Sequence, residues 1–292
     1  MKSKLTTSII TLTKNRSHLL EKNFVSLQKQ IFKPNEIIII DNNSTDQTQN
    51  LIKKYRKKLP IKSFKSSLSG YSVLYNLGIK KARGSLICFL DDDCIADKNW
   101  LKELIQKHQQ YPKSIIQGNS FSLPKNNIYA EIMGNHYQNW LRSNLIDKEE
   151  LRFLDNKNLL VPKKLLDKYG GFSIKHNIGS EDIEFGLRMR KNGVKIIFQP
   201  QAIAYHHERD NFKSFIQQHY RIAQSESHLD KKSKKKKIGI FPKKKTLLNV
   251  KSAFKKEFFY LKKGYLIKAI QLPFVYLTLV LIRTLGYFKK ND

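Results

Sequence analysis

Three successive carboxylates, Asp91, Asp92 and Asp93, close an apolar run from Ser85 to Leu90. The run is short, β-prone and preceded by Gly84, the pattern of a buried strand. Three like charges there repel one another and add nothing to a sheet. Their chemical use is a hard divalent cation, which takes oxygen ligands and keeps waters and substrate phosphates in its shell. The C-terminal end of a strand is also where open α/β sheets place ligands. The plain alternative is a solvated acidic turn ahead of a helix at Asp97. Two more acidic features stand beside the triplet. The apolar run Glu36 to Ile40 ends in Asp41 and continues through Asn42, Asn43, Ser44, Thr45 and Asp46, where polar groups could hold a nucleoside base or simply cap a helix. Glu181, Asp182 and Glu184 open a helical stretch. An acidic pair complements a helix dipole, but three carboxylates exceed what a cap requires. One of them facing a metal-bound diphosphate could act as a general base.

The elements that must position these groups alternate over the first hundred residues. Strands are expected at 8–12, 36–40, 61–64 and 86–90, and helices at 18–30, 45–57 and 71–83. Unbroken apolar strands alternating with helices predict a parallel sheet covered on both faces. Further on, helices are expected at 97–110, 127–145, 162–169, 183–192 and 212–227, with strands at 114–118 and 194–198. Gly170 and Gly171 give the stop signal after the third of these helices.

The 292 residues allow one large α/β domain with an appendage. The net charge is +31, and residues 231–292 carry about half of it. Such a balance points to an anionic partner, nucleic acid or a membrane surface, or to a general compositional bias toward lysine. The two cysteines, Cys88 and Cys94, lack metal-type spacing and are expected as reduced thiols. Leu5 to Leu12 is too short and threonine-rich for a signal peptide, so export is not expected. Residues 231–245 are a lysine run expected as a linker or surface-bound loop. Beyond it, Leu272 to Ile282 is apolar but well short of the ~20 residues that cross a bilayer. It is read as an interfacial or re-entrant membrane helix. Full spanning and packing on the protein's own core are the alternatives.

In order and spacing, six segments resemble glycosyltransferase family 2, the inverting, nucleotide-sugar-dependent enzymes of the GT-A fold. They are residues 8–16, 36–46, 76–84, 89–93, 170–172 and 181–188. The resemblance covers roughly residues 5–225. It implies an α/β fold: a GT-A type, Rossmann-like domain with a mostly parallel central sheet over 1–228. The nucleotide-binding half would be about 1–95 and the acceptor half about 96–228. A Lys-rich linker at 229–248 and a basic, amphipathic, membrane-associated helical tail at 249–292 complete the expected organisation. The resemblance further implies that Asp41 contacts the nucleobase, and that Thr13, Asn15, Arg16 and Asp92 line the nucleotide pocket. Asp91 and Asp93 occupy the acidic positions of the Asp-X-Asp motif, with Asp93 the more direct ligand of Mg²⁺ or Mn²⁺. His206, six residues after Pro200, would complete the metal shell. Asp182 matches the catalytic base, and Gly170, Gly171, Phe172 and Glu181 would shape the acceptor side. The chain departs from the family pattern at Leu12, Tyr75, Cys94 and Ser173. Tyr75 stands where many members carry an arginine. Residues 218–221 are similar to the Gln-X-X-Arg of processive synthases, but Ile222 replaces the tryptophan next in that pattern, so a single-addition transferase is expected.

The expected reaction is transfer of a sugar from a nucleoside-diphosphate sugar, uridine being the family's common nucleotide, to a hydroxyl of a glycan or lipid-linked acceptor in cell-surface polysaccharide synthesis. The basic tail would hold the enzyme peripherally or monotopically on an anionic membrane at its cytoplasmic face. Two other classes fit the sequence less well. A basic nucleic-acid-binding protein would need interleaved aromatic platforms or a DNA-reading motif, and neither is present, so no nucleic acid is expected as a partner. A sugar nucleotidyltransferase would need a glycine-rich phosphate loop, and Thr11 to Arg16 contains no glycine.

Overall fold

The computed structural model describes residues 5–123, 127–174, 181–232, 274, 275 and 277–285. The chain divides into two compact units, one of residues 1–123, 136–177 and 181–207, the other of 124–135, 178–180 and 208–292.

The larger unit opens with the expected alternation: β1 (Thr7–Thr13), α1 (Ser17–Gln28), β2 (Glu36–Asp41), α2 (Thr48–Tyr55), β3 (Ile61–Lys65), α3 (Tyr71–Lys81) and β4 (Leu86–Leu90). It continues with β5 (Cys94–Ala96), α4 (Trp100–Gln110), β6 (Ile115–Ser122), the second half of α5 (Ile128–Asn144), β7 (Asn158–Pro162), α6 (Lys163–Tyr169), α7 (Glu181–Lys191) and β8 (Ile196–His206). One eight-stranded sheet runs in the order β3-β2-β1-β4-β7-β6-β8-β5. β3, β2, β1 and β4 run parallel to one another, as do β6 and β8, while β7 pairs antiparallel with β4 and β6, and β5 with β8.

The strand sequences dictate the two cores. Every residue of β1, β2 and β4 is buried, and successive side chains point to opposite faces. Ile9, Ile37, Ile39, Leu86 and Cys88 pack with Leu20, Phe24 and Leu27 of α1, Leu51 and Ile52 of α2, and Trp100, Leu101 and Leu104 of α4. Ile10, Ile38, Ile40, Ile87 and Phe89 pack on the other face with Leu74 and Tyr75 of α3, Leu166 of α6, and Phe185 and Met189 of α7. Cys88 and Cys94 are buried free thiols.

Several short elements depart from the sequence reading. β7 was not expected; it takes in Pro162 as its last residue, and the expected helix follows at once as α6. β5 lies directly after the acidic triplet, and it pairs Cys94 with His206. β8, expected to end at Phe198, runs on through Pro200 to His206. Its register against β6 jumps from Gly118–Gln199 to Asn119–Ile203. An irregularity of this kind admits a proline and frees carbonyls from the ladder. Asn158, fully buried, takes up two of them: its amide donates to Asn119 O at 2.8 Å and Ala202 O at 2.9 Å while its Oδ1 accepts from Trp100 Nε1 at 2.7 Å. α2 begins at Thr48, later than expected. Asp46, placed in its first turn by the sequence reading, stands ahead of it and accepts from Thr48 N and from Ser17 N, both at 3.0 Å.

The smaller unit contains residues 128–135 of α5 and the helix α8 (Phe212–Lys232). Its core joins Ile128, Ile132, Met133 and Phe215 to Val275 and Leu279. Residues 274, 275 and 277–285 are helical. Phe274, Leu277, Leu281 and Leu285 are each more than half exposed on this helix. Among the described residues no helix is long and apolar enough to cross a membrane. The expected linker lies outside the described residues from 233 onward, as do the other residues of the expected tail.

Candidate active site

The C-terminal edge of the parallel strands gathers the expected groups. Thr13 ends β1 opposite Asp41, which ends β2. The Thr11 hydroxyl donates to Leu90 O at 2.8 Å and fixes the end of β4 beside β1. The triplet therefore leaves β4 next to the loop that carries Asn15 and Arg16. β5 pairs with the end of β8, so His206 arrives beside the same turn, and His207 N donates to Asp93 O at 2.9 Å.

Arg16 Nη1 donates to Asp92 Oδ1 and to Asp93 Oδ2, both at 3.0 Å. His206 Nε2 lies 3.3 Å from Asp93 Oδ1. Donor atoms of Asp93, Cys94 and His206 fall within 4.8 Å of one another. The Cys94 thiol is held protonated by burial and by the charges of Asp93 and Asp91, so carboxylate and imidazole are the donors suited to a hard or borderline divalent ion. Asp91 stands outside that group. Its Oδ1 instead accepts from Tyr75 Oη at 2.8 Å.

The other residues expected on the nucleotide side are built into the loops. Asn15 adopts a left-handed backbone, φ 52°, which asparagine tolerates. Its N–H donates to Ser44 Oγ at 2.9 Å and its Oδ1 accepts from Thr45 N at 2.7 Å. Asp41 is fully buried and accepts from Ser44 N at 3.0 Å, from the Ser44 hydroxyl and from the Gln49 amide.

Asp182 and Glu181 begin α7. Glu181 Oε1 accepts from Asn156 Nδ2 at 3.3 Å, and Asp182 Oδ1 accepts from Ile183 N at 2.8 Å. The turn of Gly170, Gly171 and Phe172 packs on the middle and end of α7, through Phe185 and Arg188. Gly170 has φ 80°, a conformation that favours glycine. A Cβ on Gly171 would lie 2.2 Å from Asn76 Oδ1. Asn76 closes on Phe172 from both sides: its amide donates to Phe172 O at 2.7 Å and its Oδ1 accepts from Phe172 N at 2.9 Å. Arg188 of α7 donates to the carbonyls of Tyr169, Gly170 and Gly171 and pairs with Glu184. Phe172 itself is buried among Tyr75, Phe89 and Phe185.

The electrostatics arise from crowding acids in a dry edge. Burial pushes the Asp91 carboxyl up to about 7, and the Asp93 charge adds to this while the Tyr75 hydrogen bond and His206 oppose it. Burial and Asp93 push Asp92 up to about 6 against the Arg16 charge. Burial would lower the Arg16 guanidinium, but Asp92 and Asp93 together raise it. Burial raises Asp182 well above the ordinary carboxylate range, with Glu181 and Asp155 acting in the same direction. Glu181 is raised by burial, with a further push from Asp155. Asp155 thus belongs to the cluster, although no sequence pattern marked it. It pairs with Lys157, whose ammonium sits 3.9 Å from the centre of the Tyr137 ring. A surplus of buried carboxylate of this size is stabilised by a cation of higher charge than one guanidinium supplies.

Residues 8–174 match the family model described as glycosyl transferase family 2. Chondroitin synthase of Pasteurella multocida is 27% identical over 236 residues, which are 69% of this chain and 24% of that protein. The GalNAc(5)-diNAcBac-PP-undecaprenol beta-1,3-glucosyltransferase of Campylobacter jejuni is 35% identical over 130 residues, 44% of this chain and 42% of that protein. This chain therefore spans less than half the length of either relative. The solved mannosyltransferase PcManGT of Pyrobaculum calidifontis, in complex with GDP-Man and Mn²⁺, superposes with a TM-score of 0.68 at 13% identity, covering 100% of this chain and 89% of that one.

Proposed function

The chain belongs to glycosyl transferase family 2, and from that premise we propose that it moves a sugar from a nucleoside-diphosphate sugar to a hydroxyl of a glycan or lipid-linked acceptor. The proposed setting is the synthesis of a cell-surface polysaccharide. The observation that carries the proposal is a pair of acidic groups of different origin that share Asp155 as a charged neighbour: the triplet, with Asp93 beside His206 and Arg16 at the ends of β4, β8 and β1, and Asp182 with Glu181 at the start of α7. One suits the leaving diphosphate and the other the incoming hydroxyl.

Asp93 and His206 would hold Mg²⁺ or Mn²⁺, with Asp91 behind them. When bound, the ion supplies Lewis-acid neutralisation of the leaving nucleoside diphosphate. Arg16, already between Asp92 and Asp93, is placed to add positive charge beside the phosphates. Asp41, Thr13, Asn15 and Asp92 form the nucleoside side of the pocket. On the other side, Glu181 and the turn of Gly170, Gly171 and Phe172 border the acceptor. Asp182 takes the proton of the acceptor hydroxyl as its oxygen attacks the anomeric carbon. A carboxylate with a raised pKa is a stronger base, closer to the working pH. Attack opposite the leaving group inverts the anomeric configuration. The raised Asp182 places the acid limb of the rate profile above the range of an ordinary carboxylate. Asp182→Asn tests the assignment: transfer is lost while nucleotide binding with Mn²⁺ persists. Near-normal turnover in that variant would refute the role.

The exposed stripe of Phe274, Leu277, Leu281 and Leu285, in a chain of net charge +31, supports peripheral docking on an anionic membrane at its cytoplasmic face. Apolar insertion and lysine attraction to acidic lipid act together in such a contact. The double variant Leu277→Glu, Leu281→Glu should no longer float with phosphatidylserine vesicles that carry the unaltered chain. Equal flotation of both would remove the stripe from the contact.

A further inference from the structure

We propose that Tyr75 is a positioning residue that holds Asp91 in place and ties the donor side of the site to the helix carrying the base. The inference rests on the proposed glycosyl-transfer site and goes beyond it, because it concerns the residue that replaces the family's arginine.

Tyr75 lies on α3 and is 4% exposed. Its hydroxyl would be costly to bury without a partner, and it donates to Asp91 Oδ1 at 2.8 Å. Its ring meets Phe89 of β4 edge-on, with centroids 5.4 Å apart and planes at 82°. On its other side it lies 5.1 Å from the Phe172 ring. Phe172 in turn packs 4.9 Å from Phe185 of α7, three residues beyond Asp182. The next residue of α3, Asn76, grips the backbone of Phe172. Two consecutive α3 residues therefore hold the same turn, one by its ring and one by its amide, and the first also reaches the acidic triplet.

The continuity runs from Asp91 through Tyr75, Phe172 and Phe185 to the first turns of α7. A phenol does this without adding charge, so the negative potential of the cluster is preserved for a cation. An arginine at the same place would have neutralised part of it. The hydroxyl fixes which way the Asp91 carboxylate faces, and the ring fixes how far the Gly-Gly-Phe turn stands from it.

The test is a double-mutant cycle of Tyr75→Phe and Asp91→Asn, read by calorimetric titration of UDP and of GDP in the presence of Mn²⁺. Tyr75→Phe keeps the ring packing and removes one hydrogen bond to a charged group, so nucleotide affinity should fall about tenfold. In the Asp91→Asn background the same change should cost almost nothing, because the partner it positions has already lost its charge. Loss of the same factor in both backgrounds, or no loss in either, would overturn the positioning role. If the unaltered chain binds neither nucleotide with Mn²⁺, the site reading falls, and this inference falls with it.

Discussion

Asn76→Asp changes one atom of the side chain that grips Phe172. The Asn76 amide donates to Phe172 O at 2.7 Å, and its Oδ1 accepts from Phe172 N at 2.9 Å. Phe172 is 3% exposed, so water does not replace a lost partner at low cost. The aspartate keeps the acceptor for Phe172 N but sets a carboxylate oxygen against Phe172 O. Losing the hydrogen bond leaves a buried carbonyl unsatisfied, at a cost of about 1–3 kcal/mol. A loss of about 2 kcal/mol lowers Tm by about 4–8 °C for a domain of this size. The sign of the pH dependence is also fixed. Once protonated, the introduced carboxyl becomes a donor again, so its folded pKa lies above its unfolded one. Its deficit is therefore smallest below the unfolded value and grows as pH rises through the folded value. Urea unfolding at about pH 4 and about pH 8, compared with the unaltered chain, reads both effects. A deficit below about 1 kcal/mol, or one that does not change with pH, would show that the grip on Phe172 is not what holds the turn.

The remaining predictions concern the two loops at the same sheet edge. Asp46 is held down to about 2 by its bonds to Thr48 and Ser17, against an opposing desolvation. Its contribution to stability is present above the ordinary carboxylate range and is lost as pH falls toward 2. Asp46→Asn should therefore lower the urea midpoint at neutral pH and converge with the unaltered chain in acid, and a constant gap would contradict the linkage. Arg16→Met removes the cation shared by Asp92 and Asp93, whose side chains are 4% and 7% exposed. Breaking such a pair costs about 3–5 kcal/mol when fully buried, and somewhat less here because Arg16 is 28% exposed. Mn²⁺ should raise the melting temperature of this variant more than that of the unaltered chain. Equal gains would separate Arg16 from the cation site.

The alternation of β1 to β4 with α1 to α3 was legible because β1, β2 and β4 are buried on both faces and carry apolar runs, and β3 is a short β-prone segment between two helices of clear period. The acidic triplet, Asp41, and the pair of Glu181 and Asp182 were legible for a related reason: carboxylates at strand and helix ends stand out against apolar neighbours. β5 was not legible. Three residues carry no period, and this strand exists because the end of β8 offers it a partner. β7 hides behind Pro162, which signals a helix start as strongly as a strand end. The extension of β8 past Pro200 was hidden because a proline argues against a central strand, and the irregularity that admits it is a tertiary feature held by Asn158. Asp155 escaped notice, and Tyr75 was marked only as a departure from the family pattern, for the same cause. Both act through neighbours distant in sequence, and an isolated aspartate before a strand or a tyrosine on a helix has the same local pattern in any fold.

Donor hydrolysis decides most directly whether the carboxylate edge handles a nucleotide sugar. The purified chain should be incubated with Mn²⁺ or Mg²⁺ and a panel of UDP-, dTDP- and GDP-sugars, scoring released nucleoside diphosphate, with Asp93→Ala alongside. Metal-dependent release from one donor, absent in the variant, is the predicted result. Release that persists in Asp93→Ala, or no release and no donor-induced thermal shift with any member of the panel, would contradict the assignment of this edge as the donor site.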